Sequence, residues 1–135
     1  MAPRARVAEK TEQAHIVSTL RMIAGHDAVF TLGTVRKRGD HPGTMQSPGL
    51  PDVVAFLPSR RPPGETPRRV LLCVECKADG GRLSPQQVVF RNLCHDAEIA
   101  HVVGTFNAVI QWLCERGYAK PESFSHERQP QAVRA

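Results

Sequence analysis

The sequence predicts an α/β fold in which a mixed central β-sheet is flanked by helices. Apolar periodicity places a helix first, then three strands, a helix, a strand and a last helix. Successive strands without a helix between them favour antiparallel pairing, whereas a strand that follows a crossover helix favours a parallel neighbour. The chain has 135 residues, which suits one compact domain. We expect a single domain over residues 1–118 and a polar, disordered tail over residues 119–135.

The first elements are predicted from an amphipathic stretch and a short apolar run. A helix is expected from about Glu9 to Ala24, where Gly25 ends it. The apolar residues 28–32 are typical of a short strand. The irregular segment over residues 34–48 is long for so small a domain, and such segments are often functional.

Two segments rich in Val and Leu form the predicted centre of the sheet. They cover residues 49–57 and 70–77. The connection between them contains four prolines and two Arg-Arg pairs, which predicts an exposed, non-helical loop. A strand over residues 99–103 and a helix over residues 108–116 complete the predicted domain.

A helix start is predicted between these two parts of the chain. Ser84 is the expected N-cap and Pro85 the first helical residue, and the side chain of Gln87 can bond back to the cap. Five apolar residues are expected to form the buried face of this helix, namely Val89, Phe90, Leu93, Cys94 and Ala97.

The composition is basic and carries no membrane signature. The formal net charge is +5 and the pI is about 9.4, which favours polyanionic partners such as nucleic acid. No apolar run is long enough to span a membrane, so we expect a soluble, cytoplasmic protein. The four cysteines lie in apolar segments, which predicts reduced thiols. Cys73 and Cys76 have the spacing of half a zinc site, but residues three apart on a strand face opposite sides, so we expect core residues.

Three charged residues lie at the ends of the two central strands. Asp52 begins the first strand, and Glu75 and Lys77 are two residues apart in the second, so both point to one face. Burying an acid and a lysine there is costly unless a charged group pairs with both, as a divalent cation with a phosphate would. In the alternative interpretation Glu75 and Lys77 form an exposed pair that contributes little, and Asp52 only shapes a turn. Leu71 and Cys73 on the same face favour a buried site.

Two further polar residues are candidates for this site. At 100° per residue, Glu9 falls near the middle of the inward face of its helix, whereas Glu12 lies toward the edge and is the alternative acid. Glu9 could instead be solvated at a frayed helix end. Gln87 is expected to cap its helix, to face the site, or to do both.

Many of these residues form an ordered pattern of Gly-x-Pro-Asp, then Glu-x-Lys, then Gly-x-Leu-Ser-Pro-x-Gln. The residues that carry it are Gly49, Pro51, Asp52, Glu75, Lys77, Gly81, Leu83, Ser84, Pro85 and Gln87. The pattern resembles the virus-type replication-repair nuclease (VRR-NUC) branch of the PD-(D/E)XK nuclease superfamily. The leading helix from Glu9 is similar to that family as well. The resemblance implies a restriction-endonuclease-like αβββαβ core.

The resemblance also implies a Mg²⁺- or Mn²⁺-dependent DNA endonuclease that hydrolyses phosphodiester bonds with metal-activated water. The implied catalytic residues are Glu9, Asp52, Glu75, Lys77 and Gln87. Asp52 and Glu75 would bind the metal, and the family pattern adds the backbone carbonyl of Cys76. Lys77 would hold the attacking water or stabilise the phosphate in the transition state. Glu9 would orient the site or help to hold a second ion.

DNA contacts are expected from basic residues in the two loops that bracket Asp52, since Arg and Lys supply most phosphate contacts. These residues are Arg36, Lys37, Arg38, His41, Arg60 and Arg61. Nothing resembles a base-reading module, so we expect selectivity for branched or Holliday-junction DNA in replication, recombination or repair. Resemblance to standalone members implies a homodimer. The alternatives are a catalytically inactive nucleic-acid-binding module of the same fold and a restriction-type nuclease with a sequence preference.

Overall fold

A computed structural model describes residues 3–32 and 47–123 of the chain. In this part of the chain three α-helices and four β-strands follow one another in the predicted order. The helices are α1 (Pro3–Ala24), α2 (Pro85–Asp96) and α3 (Phe106–Glu115). The strands are β1 (Val29–Thr31), β2 (Val53–Leu57), β3 (Val70–Cys76) and β4 (Ala100–Gly104).

The four strands form one sheet in the order β1-β2-β3-β4. β2 runs antiparallel to both β1 and β3, whereas β3 and β4, which are joined through α2, run parallel. This is the arrangement expected when a crossover helix separates two neighbouring strands. The prediction of an α/β fold with a mixed sheet is confirmed, while the restriction-endonuclease-like description of its core stays a prediction.

The hydrophobic core lies on one face of the sheet, beneath α1 and α3. Residues 72, 74 and 76 of β3 point into it, together with alternate residues of β2. The largest fully buried side chains in this core are Ile16, Leu20, Leu57, Leu72 and Leu113. Because successive strand residues point to opposite faces, Cys73 and Glu75 face the other side, where α2 lies.

Helix α1 begins at Pro3, earlier than the predicted start at Glu9. Proline suits the first turn of a helix because its missing N–H would have no partner there. The predicted end is confirmed: the Gly25 N–H donates to the carbonyl of Arg21 at 2.9 Å, and Gly25 has a φ of 104°.

The start of α2 is as predicted. The Ser84 hydroxyl accepts from the Gln87 N–H at 3.2 Å, and the Gln87 Oε1 accepts from the Ser84 N–H at 2.8 Å. These reciprocal bonds form a capping box, with Pro85 as the first helical residue.

The predicted buried face of α2 is wrong in part. Val89 and Leu93 are 57% and 61% exposed. The helix meets the sheet through Phe90, whose ring centroid is 5.9 Å from that of His101, and through the buried Cys94. Successive residues of a helix point about 100° apart around its axis. Val89 and Leu93 each precede a residue that meets the sheet, and their side chains therefore point to solvent.

After α3 the structure describes residues 119–123, which we predicted to belong to the disordered tail. Ala119 packs against the core, and Pro121–Ser123 forms a short 3₁₀ turn. Residues 124–135 of the expected tail lie outside the described residues. Among the helices of the described part, none has the length and apolar character needed to cross a membrane.

Candidate active site

The pairing of β2 with β3 brings two acids together. The register aligns Val53 with Val74, and the Asp52 N–H continues it by donating to the Val74 carbonyl at 3.0 Å. The carboxyl groups of Asp52 and Glu75 lie within interaction distance of each other, and Asp52 raises the pKa of Glu75. The Oδ2 of Asp52 also accepts from the Cys76 N–H at 2.8 Å. Backbone pairing therefore fixes the position of the Asp52 carboxyl group beside Glu75.

Glu75 is buried, with 4% of its surface exposed. Its pKa is raised from the ordinary value of 4.5 to about 8, first by burial and then by its hydrogen bond to Asp52 and the charge of that residue. The charge of Glu9 acts in the same direction, whereas that of Lys77 opposes the rise. Near neutral pH the Glu75 carboxyl group therefore holds a proton unless a cation binds beside it.

The side chain of Gln87 both caps α2 and contacts the acids. Its Nε2 donates to the Oε2 of Glu75 at 2.9 Å, while its Oε1 accepts from the backbone of Ser84. The two roles proposed for Gln87 from the sequence are thus compatible in one conformation.

Lys77 follows directly after β3. Its N–H donates to the carbonyl of Gly104 at 3.0 Å, so the pairing of β3 with β4 extends to this residue. A Cβ at Gly81 would lie 3.3 Å from both Cβ and Cδ of Lys77, so Gly81 leaves room for the lysine stem. The positive charge of Lys77 lowers the pKa of Glu75, which places its ammonium group within electrostatic reach of the acids.

The two acids of α1 have different surroundings. Glu12 accepts a hydrogen bond from the Phe106 N–H, at the first residue of α3, where a negative charge is stabilised by the helix dipole. Glu9 is the acid whose charge raises the pKa of Glu75. The bond of Glu12 could not be predicted from the sequence, because its partner is 94 residues away and leaves no local signal.

The loop before Asp52 packs tightly against the start of α2. A Cβ at Gly49, which has a φ of +97°, would lie 2.6 Å from the backbone oxygen of Gln86. Only glycine satisfies both the positive φ and this approach without displacing one of the two segments. The motif glycine therefore positions Asp52 relative to Gln87.

The structure does not bring all expected DNA contacts to this site. The loop that carries Arg60 and Arg61 leaves the sheet at the end of β2 and enters at the start of β3, opposite the acids. Arg60 lies over the ring of Tyr118 at 5.4 Å, and an Nη of Arg61 donates to the Thr66 carbonyl at 3.5 Å within the same loop. The other four residues predicted to bind DNA lie outside the described residues, and they are Arg36, Lys37, Arg38 and His41.

The candidate metal ligands of this site are two carboxyl groups. Cys73 and Cys76 are buried free thiols on opposite faces of β3, as predicted, and do not form half a zinc site. Within residues 3–32 and 47–123, no group of three or more His, Cys, Asp or Glu side chains is arranged to hold a metal ion. Among the described residues, Asp52 and Glu75 therefore form a pair of carboxyl groups without a third His, Cys, Asp or Glu ligand.

The candidate active site unites four residues that the sequence placed in it and leaves two arginines elsewhere. Asp52 is a neighbour of Glu75, Gln87 donates a hydrogen bond to Glu75, and Lys77 lies within electrostatic reach. Comparison with known proteins adds no relative, since no family model, curated protein or solved structure matches the chain.

Proposed function

We propose that the protein is a metal-dependent DNA endonuclease of the VRR-NUC type, with the restriction-endonuclease-like core that this type implies. The single observation that carries the proposal is the pair of neighbouring acids, Asp52 and the buried Glu75, with the charge of Lys77 acting on it. Two ionised acids side by side in an apolar sheet destabilise the fold unless a cation or a shared proton compensates them. A strongly perturbed acid with a charged neighbour is more typical of a reactive site than of a structural one.

Mg²⁺ or Mn²⁺ is the proposed cofactor. Mg²⁺ is usually bound by one or two carboxylates and keeps several waters, which fits the open pair of Asp52 and Glu75. The backbone of Cys76 is beside this pair, since its N–H donates to Asp52, so its carbonyl is the proposed third ligand. When bound, the ion would lower the pKa of a water and polarise a phosphoryl oxygen.

The side chains of the chain have distinct proposed tasks. Lys77 stabilises the negative charge that develops on the phosphoryl oxygens and orients the attacking water. Gln87 holds the carboxyl group of Glu75 in place through its hydrogen bond. Glu9 adds a negative charge near Glu75 and so strengthens the attraction for a cation.

The proposed substrate is branched or junction DNA, cut by a homodimer. The net charge of +5 supports a polyanionic partner. Two sites related by a twofold axis would act on the two strands of a symmetric junction. Light scattering of the purified protein tests the dimer, and a monomeric mass at working concentration would count against it.

Cleavage assays with labelled linear, flap and four-way-junction DNA test the activity. We expect cleavage of branched DNA in Mg²⁺ or Mn²⁺, and none in EDTA or with Asp52→Asn. Asp27→Asn is the matched control, because Asp27 is an exposed acid near the end of α1. Cleavage that persists in EDTA or with Asp52→Asn would contradict the proposal.

The same assays separate the two alternatives. DNA binding without cleavage in either metal would favour an inactive binding module of the same fold. Discrete fragments from linear plasmid DNA, independent of branching, would favour a restriction-type nuclease.

A further inference from the structure

We propose that a cavity at the opposite end of the sheet is a second nucleic-acid site, which binds backbone phosphates away from the cleaved bond. The proposal rests on the proposed function for the identity of the partner. The cavity has a volume of about 590 Å³, and we call it the far-end pocket. The residues that line it include Arg60, Glu98, His101, Trp112, Arg116 and Tyr118.

Two arginines of the pocket are held over aromatic rings. The guanidinium carbon of Arg116 is 4.8 Å from the centroid of Trp112, and that of Arg60 is 5.4 Å from the centroid of Tyr118. The two rings are stacked, with centroids 6.1 Å apart and planes inclined by 6°. A guanidinium group above a ring contacts it through its π-face, and its N–H groups can donate to two oxygens of a phosphate.

The backbone leaves room for one of these arginines. A Cβ at Gly117 would lie 2.6 Å from an Nη of Arg60. Gly117 follows α3 with a φ of +83°, a conformation that favours glycine. The turn after α3 therefore seats the guanidinium group of Arg60 beside Tyr118.

The charge balance of the pocket favours an anion. Its lining contains the guanidinium groups of Arg60 and Arg116 and a single carboxylate, that of Glu98. Arg116 also lies 4.0 Å from Glu115, but both side chains are more than half exposed, and such a pair contributes little.

The position of the pocket separates it from the acids. It includes Val70 and Ala100, at the starts of β3 and β4, whereas Glu75 lies near the end of β3. Five strand residues at about 3.3 Å each span roughly 16 Å. One strand of DNA advances about 3.4 Å per nucleotide, so about five nucleotides would be needed to reach both sites. The pocket therefore suits a segment of nucleic acid that flanks the cleaved bond.

Tryptophan fluorescence measures occupancy of the pocket directly, because Trp112 is the only tryptophan of the chain. The full chain is titrated in EDTA with a single-stranded oligonucleotide of about 20 nucleotides and with the matching duplex, lengths chosen to exceed the reach between the sites. We expect a saturable fluorescence change whose affinity falls about tenfold in Arg60→Ala and in Arg116→Ala, as for the loss of a charge-assisted hydrogen bond.

Matched variants test the role of the guanidinium groups. Arg60→Lys and Arg116→Lys keep the charge but lose the planar fork, and we expect affinities between those of the alanine variants and the native chain. Arg68→Ala is the control, because Arg68 is exposed on the same loop as Arg60 but outside the described lining of the pocket. Circular dichroism confirms that each variant is folded.

Three results would overturn this inference. The oligonucleotide could bind, as followed by its anisotropy, without changing Trp112 fluorescence. Poly-glutamate or inorganic phosphate could give the same change at the same concentration of charge, which would indicate a general anion site. Arg68→Ala could weaken binding as much as Arg60→Ala.

Each of these failures leaves cleavage at the acids intact. Failure of the proposed function is a separate result, in which junction DNA is not cut in Mg²⁺ although Trp112 still responds to the oligonucleotide.

Discussion

At the end of β3 two carboxyl groups are neighbours and one of them is buried, whereas near its start two guanidinium groups lie over aromatic rings. At the acid end, burial and the neighbouring Asp52 raise the pKa of Glu75 to about 8. The two guanidinium groups stay charged, and the aromatic faces beneath them attract that charge. The cation proposed above would complete the acid end, and the ligand proposed for the arginine end is an anion.

The largest expected effect separates chemistry from binding. Lys77→Ala is expected to lower the single-turnover rate of junction cleavage by about 10²- to 10³-fold, the loss typical of one group that stabilises transition-state charge. Arg60→Ala is expected to leave that rate unchanged at saturating DNA, because Arg60 lies at the other end of the sheet. Rapid-quench kinetics measure both rates, and equal losses would remove the distinction between the two ends.

The stability of the metal-free protein is expected to fall as pH rises from about 4.5 to about 8. In this interval the unfolded Glu75 has lost its proton while the folded one keeps it, so the folded state binds more protons and loses stability with increasing pH. One such group gives a slope of at most about 1.4 kcal/mol per pH unit.

Denaturant unfolding at several pH values in EDTA measures this slope. Glu75→Gln should remove the part of it that Glu75 contributes, and Mn²⁺ added near pH 8 should restore stability to the native chain alone. An unchanged slope in Glu75→Gln would show that the pKa of Glu75 is not the cause.

A smaller effect is expected from the glycine that precedes Asp52. Gly49→Ala places a Cβ 2.6 Å from the Gln86 carbonyl oxygen at a φ of +97°, and we expect a loss of about 1–3 kcal/mol in unfolding free energy. Gly64→Ala is the matched control, since Gly64 has a φ of +95° but no atom within 4 Å of its Cβ position. Chemical denaturation compares the two, and equal losses would mean that the contact with α2 contributes nothing.

The smallest effect is expected at the arginine end. Arg60→Ala should reduce the unfolding free energy by about 0.5–1 kcal/mol, the usual contribution of an exposed cation–π pair. Arg68→Ala should be close to neutral. A loss above about 2 kcal/mol for Arg60→Ala would identify Arg60 as a structural residue and weaken the case for a ligand site.

Local chemistry made much of the fold predictable. Because strand side chains alternate between faces, Glu75 and Lys77 could be assigned to one face of the sheet. The start of α2 could be predicted from Ser84 and the residues after it. The rotation of α2 could not be predicted, because Val89, Phe90, Leu93 and Cys94 offer two adjoining apolar rows. In the structure Phe90 and Cys94 face the sheet and Gln87 bonds to Glu75, and these contacts join separate elements.

The position of Arg60 in the fold could not be predicted from its position in the sequence. Its loop is close to Asp52 along the chain, and we expected it to be close in space. A strand of five residues, β2, separates them, and at about 3.3 Å per residue it carries the chain roughly 17 Å away. Proximity in sequence therefore misplaced the arginine, and the direction of the strand determines which loops share an end of the sheet.

The two hydrogen bonds of the Gln87 amide limit which residues can replace it. The Oε1 of the amide accepts a hydrogen bond from the Ser84 N–H and its Nε2 donates one to Glu75, so acceptor and donor are both required. A glutamate could complete the capping box equally well, yet its carboxylate has no N–H to donate to Glu75. The helix start alone would tolerate either residue, whereas the hydrogen bond to Glu75 requires the glutamine.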